Sequence, residues 1–132
     1  MLSYYLDSSA ILKIIFQEDE SAALAKFITE PAITSSISRV EVLRTVQRID
    51  PSRVQLAQSE LAKINIVEPI PSILTIAENF SHEVTLRSLD AIHVATLIFL
   101  STATGGLITY DKLMAKNAEQ LGLKVLAPGT KN

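Results

Sequence analysis

The chain of 132 residues contains no cysteine and no tryptophan. Without thiols, disulfides and thiolate metal sites are excluded, and a reducing compartment such as the cytoplasm is permitted and is the expected location. Its four glycines, Gly105, Gly106, Gly122 and Gly129, all lie in the last third. A glycine-rich turn that cradles a dinucleotide after the first strand is therefore excluded. The two histidines, His82 and His93, have no metal-ligand spacing, so zinc is not expected. There is also no long apolar run. The most hydrophobic stretch, Leu89 to Leu100, includes Asp90 and His93 and breaks at Ser101-Thr102-Ala103-Thr104-Gly105-Gly106. That is too short to cross a bilayer. The start, Met1 to Asp7, has neither a basic region nor a long apolar core, so it is not read as a signal peptide. Surplus positive charge is absent too. The formal charge is −2, so a polyanionic partner would have to be met by a local basic patch.

What is present is apolar. Hydrophobic residues make up 48% and charged ones 20%, which describes one globular domain with a real core and a surface prone to self-association. Ser3 to Leu6 reads as a buried strand, followed by Asp7-Ser8-Ser9 and a helix from Ala10 to Phe16. Ser21 to Phe27 is a second helix. Ala32 to Ser35 is a second strand, and Ser38 is expected to cap the helix carrying Val40, Leu43, Val46 and Ile49. Asp50-Pro51 opens another helix in the cap-then-proline manner. Asn65 to Glu68 is a third strand, Ser72 to Phe80 a short helix, and Ser81 to Arg87 a loop. Ser88 is expected to cap the next helix, which is apolar on all sides and so is placed in the interior. Gly106 to Tyr110 is a fourth strand. Asp111 caps Lys112 to Leu121, with Gly122 at its end, and Lys124 to Leu126 is a fifth strand. Residues 1–127 are read as one domain and 128–132 as a polar tail.

Strands alternating with helices imply a parallel sheet covered on both faces. Ligands of such sheets bind at the carboxyl ends of the strands. Asp7 and Asp111 follow strands one and four. Glu41 lies in the first turn after strand two, and Asp90 in the first turn of the helix leading to strand four. All four acids are expected at one edge. Each also has a local explanation: Asp7 and Asp111 as caps, Asp90 as a partner of the helix dipole, and Glu41 in a capping box with Ser38 or an ion pair with Arg44. Together they have a common problem. Two carboxylates about 4 Å apart repel by roughly 4 kcal/mol at an effective dielectric near 20. Such a cluster needs raised pKa values or a cation, and oxygen-only ligands suit Mg²⁺ or Mn²⁺. A carboxylate-held ion of that kind acts on phosphodiesters. Arg39 and Arg44 beside Glu41, Arg87 before Asp90, and Lys112 and Lys116 after Asp111 are placed to hold the phosphates.

Leu6-Asp7-Ser8-Ser9, Val40-Glu41, Leu89-Asp90-Ala91-Ile92-His93-Val94-Ala95 and Ile108-Thr109-Tyr110-Asp111 resemble the PIN-domain family, in particular its VapC-type ribonuclease toxins. The resemblance spans essentially the whole chain in motif order. It implies an α/β/α sandwich with a parallel five-stranded sheet of order 3-2-1-4-5. It implies a homodimeric, metal-dependent endoribonuclease silenced by a cognate antitoxin, with Asp7, Glu41, Asp90 and Asp111 as the catalytic and metal-holding set. Thr109 would accompany them, and Ser8 would cap its helix or hydrogen-bond Asp7. Some relatives carry a further acid soon after the last aspartate. Lys112-Leu113-Met114-Ala115-Lys116 has none, so a second metal site is not implied. His93, Tyr4 and Tyr5 are read as packing residues. The alternatives are a non-catalytic PIN-like binding module and another Mg²⁺-dependent phosphohydrolase. A receiver-like phosphoacceptor would need a second acid beside Asp7, where Ser8-Ser9-Ala10 stands.

Overall fold

The computed structural model describes residues 3–130, so the last two residues of the expected tail, and Met1 and Leu2, lie outside the described residues. Five short strands form one sheet: β1 (Ser3–Leu6), β2 (Ile33–Ser35), β3 (Asn65–Val67), β4 (Thr104–Ile108) and β5 (Val125–Leu126). All pairings are parallel, and the order is β3-β2-β1-β4-β5. The helices are α1 (Ser8–Ile15), α2 (Ser21–Phe27), α3 (Ile37–Ile49), α4 (Val54–Ala62), α5 (Pro71–Glu78), α6 (Ser88–Leu100) and α7 (Lys112–Gln120).

The pleat separates the core into two. Successive residues of a strand face opposite sides. Leu6 and Ile108 therefore pack on one side with Ile11 and Ile15 of α1, Leu24 of α2, Val42 and Val46 of α3 and Leu61 of α4. Tyr5 and Leu107 pack on the other with Val94 and Leu97 of α6 and Met114 and Ala118 of α7. The result is the three-layer sandwich expected, with both faces of the parallel sheet covered.

Several helix starts differ from the sequence reading, three of them at serines. Ser88 is the first residue of α6 and Arg87 its N-cap, without a side-chain cap bond, so Asp90 is the third helical residue. Ser38 is inside α3, whose N-cap is Ser36. The Ser38 hydroxyl is buried and lies 2.7 Å from Thr34 Oγ1, which itself donates to the Leu6 carbonyl at 2.6 Å. That places Glu41 fifth in α3, too late for a capping box. Ser8 is likewise inside α1, where Asp7 is the cap and accepts from the Ala10 amide. The fourth strand also begins earlier than expected and ends at Ile108. Thr104 and Gly105 join it, and its two glycines fit their places: a Cβ at Gly105 would lie 2.7 Å from the Tyr4 ring, and Gly106 holds φ +132°. Helix α6 is only partly interior. His93, Val94, Ala95, Thr96 and Leu97 are buried, but Leu89 is 48% exposed and Phe99 45%. The sheet takes one side of α6 and α5 another, leaving a third side to solvent. Among the described residues no helix is long and apolar enough to cross a membrane.

Candidate active site

The carboxyl ends of β1 and β4 are adjacent because Leu6 pairs with Ile108. The next residues of both chains, Asp7 and Thr109, are therefore thrown together. Asp7 is 3% exposed, and three donors hold its side chain. Ser9 Oγ (2.7 Å) and the Ala10 amide (3.1 Å) donate to Oδ1, and Thr109 Oγ donates to Oδ2 (2.5 Å). The Thr109 hydroxyl also accepts from the Asp111 amide at 3.1 Å, and Ser9 Oγ accepts from the Tyr110 amide at 2.9 Å. Both hydroxyl protons are thus spent on Asp7, and both hydroxyl oxygens tie down the loop that carries Asp111. Burial pushes the Asp7 carboxyl above the usual carboxylate range, against the opposing pull of Ser9, Thr109 and the Ala10 amide. Ser9 was missed in the sequence. Its signal was there, since a hydroxyl two residues after an aspartate is a standard local hydrogen-bonding pattern.

Glu41 is half-buried on α3. Its Oε1 accepts from Ser8 Oγ at 2.6 Å and from His93 Nε2 at 2.8 Å. Neither the capping box with Ser38 nor the ion pair with Arg44 forms. Burial raises the Glu41 pKa, but the His93 and Ser8 hydrogen bonds outweigh it and leave the group below its ordinary value. Ser8 neither caps α1 nor bonds Asp7; it serves Glu41.

Asp111 caps α7, with Oδ1 accepting from the Leu113 (2.9 Å) and Met114 (3.0 Å) amides. Asp90, in the first turn of α6, has a raised pKa. Burial is the first cause, then the negative charges of Asp111 and Glu41, opposed by His93 and Arg87. The electrostatics thus tie Asp90, Asp111 and Glu41 into one field at the sheet edge, with Asp7 beneath it.

The donor chemistry fits a hard cation. Every side chain of the set offers oxygen, and a cation would relieve the repulsion that raises Asp90. As these side chains stand, no three His, Cys, Asp or Glu among the described residues are close enough to hold one ion. Rotation of the half-buried Asp90 and Asp111 carboxylates would be needed to close a cage. Asp90 has no hydrogen bond to hold it among the described residues, and Asp111 is held by Oδ1 alone.

The five basic residues expected to meet phosphate, Arg39, Arg44, Arg87, Lys112 and Lys116, are all exposed, and none is in an ion pair among the described residues. Arg44 lines an open groove of about 960 Å³ beside Glu41, together with Val40, Arg48 and Leu89. Arg87 adjoins α6 and acts on Asp90. Lys112 and Lys116 extend along α7 from Asp111.

Comparison with known proteins agrees with this layout. A family model described as PIN domain matches residues 4–120. The chain is 36% identical over 130 residues to Ribonuclease VapC46 of Mycobacterium tuberculosis, covering 97% of this chain and 99% of that protein. It is 36% identical over 131 residues to Ribonuclease VapC35 of the same organism, covering 95% and 96%. A solved structure of VapBC2 from Rickettsia felis, bound to a DNA fragment from the promoter, matches with TM-score 0.70 at 16% identity, covering 96% of this chain and 99% of that one. At that identity the structural likeness speaks for the fold, while the family model and the closer relatives speak for descent: this chain belongs to the PIN-domain family.

Proposed function

We propose that this protein is a divalent-metal-dependent endoribonuclease, the toxin of a toxin–antitoxin pair. The observation that carries the reading is the repulsion that Asp111 and Glu41 exert on Asp90 at the carboxyl edge of a parallel sheet, in a chain similar over 97% of its length to a VapC ribonuclease. PIN-domain nucleases generally depend on a divalent metal. Here Asp7, Asp90 and Asp111 would hold Mg²⁺ or Mn²⁺, with Glu41 direct or through water. Such an ion supplies a lowered pKa for bound water and neutralises charge on a phosphate. The chain's own residues do the rest. Thr109 and Ser9 keep Asp7 in one rotamer. Ser8 and His93 do the same for Glu41. Arg44, Arg87, Lys112 and Lys116 hold the RNA backbone and align a phosphodiester over the acids.

The nuclease domain in this reading is residues 1–127, and 128–132 form its tail, whose Pro128 carbonyl accepts from the Tyr110 hydroxyl at 2.8 Å. The protein acts in the cytoplasm. Exposed Val40, Ile49, Leu89 and Leu113 support assembly as a homodimer and contact with a cognate antitoxin, whose cationic side chain would suit the acidic edge. The mass of the purified chain by light scattering at tens of micromolar tests the dimer, and a monomer counts against it. The activity is tested with antitoxin-free protein on a mixed RNA pool in Mn²⁺, with and without chelator. Internal cleavage that chelator stops, and that Asp7→Ala lacks, is expected. Cleavage persisting in chelator would overturn the metal reading, and no cleavage of any RNA would favour a binding module.

A further inference from the structure

His93 looks in the sequence like a core residue of α6, and it is 1% exposed. Both of its ring nitrogens are nevertheless engaged. Nδ1 lies 2.7 Å from the Tyr5 hydroxyl and Nε2 lies 2.8 Å from Glu41 Oε1. These partners come from different layers, Tyr5 from the central strand and Glu41 from α3 across the sheet edge. The Tyr5 and His93 rings meet edge to face, 5.8 Å between centroids at 71°.

The proton positions follow from the partners. An ionised Glu41 only accepts, so Nε2 donates. Burial raises the Tyr5 hydroxyl well above the usual phenol range, so it keeps its proton and donates to Nδ1. Tyr5 thereby fixes the tautomer that Glu41 needs. Glu41 Oε1 receives two donors, Nε2–H and the Ser8 hydroxyl, while Oε2 receives none among the described residues. One oxygen of the carboxylate is clamped and the other is left for a ligand.

We propose that His93, held by Tyr5, is a positioning residue that clamps Glu41 through Oε1 and presents Oε2 to the cation of the acidic edge. This rests on the metal reading above for its purpose, though not for its geometry. Outer partners that orient a ligand in this way are commonly worth ten- to a hundredfold in metal affinity or activity.

The test has two arms on the full chain. In chelator, ¹⁵N NMR of the His93 ring is expected to show a protonated Nε2 and a bare Nδ1. A proton on Nδ1 with Nε2 bare overturns the clamp. In calorimetry with Mn²⁺, His93→Leu is expected to bind roughly ten- to a hundredfold more weakly than the parent. His93→Gln, which retains a donor near the Nε2 position, is expected to recover most of that loss. For RNA cleavage kcat should fall in His93→Leu while KM holds. A role in packing alone predicts the reverse order, because leucine suits an apolar core better than glutamine; equal binding by Leu and Gln would refute the proposal. Should His93→Leu not fold, Tyr5→Phe removes only a hydroxyl, and its unchanged Mn²⁺ affinity would refute it instead. A parent chain that binds no Mn²⁺ would refute the metal site, and the NMR arm would still decide whether the clamp exists.

Discussion

Asp90→Asn should make the chain more stable without metal and less stable with it. Asp90 is the acid most exposed to its own neighbours: burial and the charges of Asp111 and Glu41 raise its pKa, with His93 and Arg87 opposing. Between two like charges beyond direct contact the repulsion is on the order of 2 kcal/mol at an effective dielectric of 20 and about a quarter of that in water. A half-buried carboxylate falls between these limits. Position three of α6 offsets part of the penalty, since an acid in a helix's first turn gains about 0.3–1 kcal/mol from the dipole. The net penalty is on the order of 1 kcal/mol. With an unfolding entropy near 2.1 cal/mol/K per residue, that corresponds to about 3–4 °C in Tm for a chain of this length. A folded-state pKa above the unfolded one means stability is complete below the ordinary aspartate value and is lost as pH rises through the raised one. The gain in Asp90→Asn should therefore be full at pH 7 and vanish near pH 4. Millimolar Mn²⁺ should invert the order, because only the parent gains binding stabilisation. Scanning calorimetry in chelator and then in Mn²⁺ reads both halves. An Asn variant no more stable than the parent at pH 7 in chelator would refute the electrostatic reading. Equal Mn²⁺ shifts in both chains would remove Asp90 from the metal site.

Ser9→Ala strips a donor from Asp7 and the acceptor of the part-buried Tyr110 amide, so a loss of about 1–3 kcal/mol is expected by urea denaturation. Asp7 is already raised by burial, and losing a donor to its charged form should move the acidic limb of the cleavage profile to higher pH. A limb that stays put would show that Asp7 ionisation does not control the rate. Arg44→Ala should weaken RNA binding uniformly across sequences and lower the salt slope by about one, measured by filter binding at several salt concentrations. An unchanged slope would remove Arg44 from the phosphate contacts. Gly106→Ala would set a Cβ 2.8 Å from the Lys124 carbonyl at φ +132°, where that carbonyl accepts from Leu107. A cost of about 1–3 kcal/mol is expected, and an unshifted denaturation midpoint would contradict the strain.

Local signals decided a good deal of this protein. Alternating apolar runs and helical periods were enough for the parallel sheet with helices on both faces, because burial of both faces leaves strands of continuous hydrophobics. Asp7 and Asp111 were recognisable as caps after strands one and four, since a cap acts within three residues of itself. That the acids share one edge followed from a rule of parallel sheets and needed no coordinates. The capping serines were another matter. Ser8, Ser38 and Ser88 each stand where a cap is plausible, yet Ser8 is drawn to Glu41 and Ser38 to Thr34, across elements 33 residues apart and within a strand–helix corner. A hydroxyl has several local partners of similar worth, so the winner is the one that the packed neighbours bring closest.

Tertiary structure alone decided which groups hold the acids. Thr109 reaches Asp7 across 102 positions, and His93 joins Tyr5 and Glu41 across 88 and 52. No periodicity encodes such pairings. They exist because β1 and β4 lie side by side and α6 crosses the sheet edge, so that buried polar groups with no access to water must find one another. His93 read as a packing residue for the same reason: its burial is written in the apolar helix around it, while its partners are set only when the three layers close.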